Sequence, residues 1–118
     1  MKYFYILVFI SIISCNSSEC ESLPATFSSY SVAQEKIESS DFEVKDVADT
    51  SSSSWIRNAK FFSCDGNTGY MFYSTDSKDY IHAGLPIEIW QGFKDAPSKG
   101  SYYNHNIKGN YRLQISNE

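Results

Sequence analysis

Charge of either sign is scarce in this chain of 118 residues: only 20% of it is Asp, Glu, Lys or Arg. Fourteen acidic residues outnumber ten basic ones, for a net charge of −4. Proteins that gather nucleic-acid phosphates show a basic domain or stripe, and none is present here. Histidine is scarcer still, with His82 and His105 alone and at no metal-ligand spacing, which leaves no zinc site. Asp65-Gly66-Asn67 is too short a run for a calcium loop. Neither a glycine loop that would cradle phosphate nor a serine-hydrolase elbow occurs. The longest apolar run, Tyr3 to Ile13, is broken by Ser11 and falls short of the about 20 residues that span a bilayer. No cofactor and no metal are expected.

What the chain does have is aromatic weight. Nine Tyr and eight Phe, with two Trp, make 16% of the residues, enough for one modest core. Its other marked feature is the start. Lys2 precedes the apolar stretch, and Ile12-Ile13-Ser14-Cys15 closes it. A positive end, a short apolar core and a small residue before a cut describe a secretory signal peptide. A cysteine right after the small residue resembles the lipobox of bacterial lipoproteins, in which that thiol is diacylated and the signal removed before it. The resemblance implies a mature chain that begins at Cys15 and hangs by lipid from a membrane of the cell envelope, at its periplasmic face or at the cell surface. An ordinary secreted protein, or a first strand of a cytosolic domain, are the other readings of Tyr3 to Ile13. Acylation of Cys15 would leave Cys20 and Cys64 as an even pair, and export makes a disulfide between them possible. Two free thiols are the alternative.

Charge divides the rest. Residues 16–54 carry eight acidic residues against Lys36 and Lys45, a net of −6, whereas residues 55–118 carry seven basic against six acidic, a net of +1. The expected organisation is a signal peptide over 1–14, a lipidated cysteine and tether over 15–26, a helix–strand extension over 27–50, and a domain over 51–116. Tyr30, Ala33 and Ile37 fall on one face of a helix that Ser28 or Ser29 caps. Phe42, Val44 and Val47 alternate imperfectly with Glu43, Lys45 and Asp46, as in a half-buried strand. The serine run at 51–54 is a flexible connection or a polar strand start. Three strands follow: Trp55 to Ser63, Tyr70 to Tyr73 and Asp79 to Ala83. Their turns lie at 65–69, built of residues that tolerate positive φ, and at 75–78. Gly84-Leu85-Pro86 ends the meander, and Pro86 suits the first turn of a helix that presents Ile87, Trp90 and Phe93. Ala96-Pro97 stops it, and residues 98–104 begin a second short helix or turn.

From Ser52 onward this order of features resembles the KTSC domain, a module found at the carboxyl end of some lysyl-tRNA synthetases and alone in many bacterial and phage proteins. Ser53-Ser54-Trp55-Ile56, Tyr80, Leu85-Pro86 and above all the run from Ala96 to Tyr111 carry the resemblance. It departs at Tyr80-Ile81-His82, where the family has tyrosine in place of His82. The resemblance implies an α+β fold, a small antiparallel sheet of three to four strands packed against one or two helices. It implies no established activity, although the synthetase context makes RNA binding an alternative.

The candidate binding residues are Tyr80, His82, Ser98, Lys99, Tyr102, Tyr103, Asn104, Lys108 and Tyr111. Ser98 and Lys99 at a helix start would suit an anion through free backbone N–H groups; a plain cap at Ser98 with close packing at Gly100 is the structural alternative. The tyrosines with Asn104 suit a glycan or protein partner in the envelope. An exported acidic protein argues against nucleic acid as that partner. The expected function is a lipid-anchored binding domain that performs no catalysis.

Overall fold

The computed structural model describes residues 18–116; the stretch expected to be a signal peptide, and Cys15 after it, lie outside them. One turn of helix, α1 (Ser18–Glu21), leads to a two-residue strand, β1 (Thr26–Phe27), and then to α2 (Tyr30–Ser39). The chain continues through β2 (Val44–Val47), β3 (Arg57–Ser63), β4 (Thr68–Ser74) and β5 (Asp79–Pro86). It closes with α3 (Ile87–Asp95), α4 (Lys99–Asn106) and the short β6 (Gln114–Ile115). Strands β2 to β5 form one antiparallel sheet in sequence order, and β1 pairs with β6 in parallel. The α+β architecture is as expected.

Local chemistry fixes the turns. Asp65 accepts backbone N–H bonds from Asn67 at 2.9 Å and Thr68 at 3.2 Å, while Gly66 takes φ 77°. Buried Ser63 ties the same turn from below, donating to the Thr68 carbonyl at 2.6 Å and accepting from Gly66 N–H at 2.9 Å. Between β4 and β5, Thr75 N–H donates to the Lys78 carbonyl at 2.8 Å. Each turn therefore satisfies its own polar groups and sets the register of the strands it joins.

Because strand side chains alternate, β3 and β4 feed two cores. Ala59, Phe61, Met71 and Tyr73 turn to one face, under α3 and α4; there Trp90 stacks on Phe61 at 5.3 Å. Phe62 and Phe72 turn to the other, with Phe27, Ala33, Ile37 and Ile81. Helix α2 covers this second face through the face read from its spacing. Its cap is Ser29, whose Oγ accepts from Val32 N–H at 3.2 Å. Each large side chain so buried contributes about 1.5–3 kcal/mol. Tyr30 reaches from α2 to the outer edge of β5, where its hydroxyl accepts from Ile81 N–H and donates to the Ile81 carbonyl. Residues 107–115 run along the same edge, with Ala83 N–H donating to the Tyr111 carbonyl at 3.0 Å. The edge is thus closed to strand pairing from outside.

Four features differ from expectation. Along β2 the two-residue period turns Val44 inward, with Ala48 just beyond the strand, and leaves Val47 65% exposed, while Phe42, before the strand, packs on the other core against Phe62. Asp46 takes the inward place, because α3 offers it Lys94 Nζ at 2.7 Å and Trp90 Nε1 at 2.9 Å. Lys94, and after it the Trp90 indole, hold the Asp46 carboxyl below the usual carboxylate range. Second, β5 does not stop at Ala83. A shift of register between Gly69 and Met71 lets it pair on to Pro86. Third, Thr26 and Phe27, expected in the tether and at a helix entry, form a strand against Gln114 and Ile115. Fourth, the division at residue 50 falls inside one sheet, since β2 hydrogen-bonds to β3.

Cys20 and Cys64 form a disulfide with 5.8 Å between their Cα atoms, across a sequence separation of 44. It fastens the segment that leads into β1 to the far end of β3. In the chain-entropy account a loop of this length gains about 4 kcal/mol from cross-linking. The double variant Cys20→Ser, Cys64→Ser is expected to lower unfolding free energy by about 2–4 kcal/mol in a denaturant titration. Reduction of the unaltered protein should lower the midpoint by the same amount and leave the double variant unmoved.

Candidate functional site

A groove of about 520 Å³ opens between the turn at residues 52–55 and the start of α4. Ser53 builds one wall: its Oγ accepts from Ile56 N–H at 3.0 Å and from Trp55 N–H at 3.3 Å, which throws Trp55 across to α4. Trp55 lies directly on Gly100, where any Cβ would collide with the indole. Ser98 caps α4 by accepting from Ser101 N–H at 3.3 Å. Asn104 and His105 are exposed one turn on. His105 Nδ1 donates to the Ser101 carbonyl at 2.9 Å, so its Nε2 is the acceptor nitrogen.

The anion cradle, one of the two readings of Ser98 and Lys99, does not form. Lys99 is only 9% exposed, and its ammonium donates to the carbonyls of Lys94 at 2.9 Å and Ala96 at 3.2 Å. The last carbonyls of α3 have no partners within their helix, and a cation there meets both the orphan acceptors and the negative end of the dipole. Lys99 thus joins two helices, and the packing role expected for Ser98 and Gly100 is the one observed.

Four other candidates meet behind this wall. Tyr80 and His82 share the α4 face of β5, and Tyr80 stacks on Tyr73 at 4.8 Å. His82 Nδ1 lies 3.2 Å from the Tyr111 carbonyl and must donate to it, which leaves Nε2 to accept from the Tyr103 hydroxyl at 2.9 Å. Tyr103 in turn accepts from the Tyr73 hydroxyl. Tyr111 stands at φ 57°, unusual for a bulky residue, and that turn aims its carbonyl at His82 and Ala83 together. Histidine offers a donor and an acceptor at opposite ends of one ring, and both are taken. Burial pushes the Tyr73 and Tyr103 phenols up and the His82 imidazolium down, against an opposing pull from the Tyr111 and Asn110 carbonyls.

Of the remaining candidates, Tyr102 packs against Gly92 and Phe93, and Lys108 is exposed beyond α4. Trp55 and the serines at 52–54 were not among the expected binding residues, although a serine run beside a lone tryptophan marks the place. Cys64 is no nucleophile, because its sulfur is bonded to Cys20. Among the described residues no group of His, Cys, Asp or Glu is placed to hold a metal ion.

The lowered His82 pKa has a signed consequence. Below its ordinary value of 6.5 the unfolded chain takes up a proton that the folded chain resists. Stability from this group is complete above about pH 6.5 and is lost as pH falls toward the folded value. Thermal midpoints should decline over that window in the unaltered protein, and His82→Gln should flatten the decline while lowering the midpoint at neutral pH. An unchanged slope in His82→Gln would contradict this account.

No curated protein and no solved structure matches the chain. The family model of the KTSC domain matches residues 72–111, from Phe72 in β4 to the tyrosine whose carbonyl holds His82. Both sides of the His82 network and the α4 wall of the groove fall within that span, whereas Trp55 and the serine turn precede it: the chain carries a KTSC domain over residues 72–111.

Proposed function

We propose that this chain is an exported lipoprotein whose KTSC domain, held at a membrane through acylated Cys15, binds a protein or glycan partner and catalyses nothing. The observation that carries the reading is the Cys20–Cys64 disulfide. Such bonds persist in oxidising compartments, and this one takes up both other cysteines, which leaves Cys15 as the acyl acceptor. Two acyl chains at about 0.8 kcal/mol per buried methylene hold stably, where one holds only marginally.

A binding role is supported by how the titratable groups are used. Tyr73, Tyr103 and His82 spend their polar atoms on one another and on Tyr111, which suits a rigid scaffold better than proton transfer to a substrate. RNA binding loses support from the same contacts. Of the four cations between residues 94 and 112, Lys94 pairs with Asp46 and Lys99 is buried, leaving Lys108 and Arg112.

Intact mass of protein recovered from its own cell envelope tests the reading. The expected mass is that of residues 15–118 plus lipid, with two hydrogens fewer for the disulfide, and Cys15→Ala should lose the lipid. An unmodified chain that starts at Met1 and resides in the soluble fraction would overturn it.

A further inference from the structure

We propose that the groove between residues 52–55 and α4 is a saccharide site that takes a neutral, N-acetylated sugar. This deepens the binding role above, and rests on it for the envelope as the source of the sugar. Three observations converge on the groove. It is lined by serine hydroxyls, one amide and one imidazole, with no carboxylate. Its one formal cation, Lys99, is turned away to the end of α3, so nothing in it favours a phosphate or a carboxylate over a neutral ligand.

The polar atoms of the lining also retain bonding capacity. Ser53 and Ser98 use their oxygens as acceptors from backbone N–H groups, and their hydroxyl protons are left to donate outward. His105 commits Nδ1 to a carbonyl, so its Nε2 is left to accept. Asn104, exposed on the same wall, adds an amide with both a donor and an acceptor. A mixed set of this kind fits a ligand that presents alternating hydroxyls and an acetamido group. Trp55 supplies the apolar wall against which the C–H face of a pyranose and the acetyl methyl pack. Its position is fixed by Gly100 beneath it and by edge contacts to Tyr73 and Tyr103 at 6.3 and 5.8 Å. A wall so held loses little freedom when a ligand arrives.

The two tryptophans make the test internal. Trp90, buried and outside the groove lining, donates its indole N–H to Asp46 and serves as the silent reference. The full chain in detergent micelles is titrated with tri-N-acetylglucosamine while the two indole N–H resonances and the backbone amides are followed by NMR. Movement of the Trp55 indole and of amides 98–105, with Trp90 still, is the expected result. Asn104→Ala should weaken the binding about fivefold without moving the thermal midpoint, since one neutral hydrogen bond is lost from an exposed position. A silent Trp55, equal movement of both indoles, or a response to inorganic phosphate, an oligouridylate or a peptide in place of the sugar would overturn the proposal. Anchoring is scored separately: a lipidated chain with a silent Trp55 sinks the site alone, and a sugar-binding chain without lipid sinks the anchor alone.

Discussion

Strands β3 and β4 are buried on both faces, and the other elements are arranged to meet that demand. A sheet with one wet face needs a single covering layer; here Phe61 and Met71 point one way while Phe62 and Phe72 point the other. The first face is covered by the helices that follow the meander, within a short chain distance of β5. Cover for the second comes from α2 and β1, which precede the meander, and from β6, which returns from beyond α4 to pair with β1. This is why residues 27–50 belong to the same body as the rest. The two termini of the described chain are then brought together, and the disulfide fastens the entry to the end of β3.

A second constraint follows from how much polarity lies within that aromatic core. Tyr73, Tyr103 and His82 are acceptable there because each finds a partner, in a line that ends at a backbone carbonyl turned inward by the unusual φ of Tyr111. An unpaired hydroxyl at such depth costs free energy, so the line is satisfied as a unit. Its effect reaches the surface. Trp55 leans on Tyr73 and Tyr103, and the groove wall is therefore as rigid as the network behind it.

Much of this was legible in the residues. Ser29 with Ala33 and Ile37, the turn at 65–69, the Trp90–Phe93 stripe and the Ser98 cap each follow from short-range rules of spacing and hydrogen bonding, and each stands where those rules put it. The site was legible only in parts. Tyr80, His82, Tyr103 and Tyr111 are candidates by sequence and do meet, but the pattern around Lys99 points it outward where the fold turns it in, and Trp55 looks like the start of a strand. A side chain's neighbours across the fold decide such matters: Lys99 goes to α3 because carbonyls wait there, and no local pattern announces them.

By itself the sequence determined the type and order of the elements from α2 to α4, the turn chemistry and the stripes to be buried, because those depend on residues within a few positions of one another. Tertiary structure decided the rest. Thr26 and Phe27 become a strand only because Gln114 and Ile115 are brought beside them. Asp46 turns inward because the strand period leaves it facing Trp90 and Lys94, which lie more than forty residues away. His82 is held at both ring nitrogens because the Tyr103 hydroxyl and the Tyr111 carbonyl stand at its two ends. Each is a contact between residues far apart in the chain, and such contacts exist only once the two cores have closed.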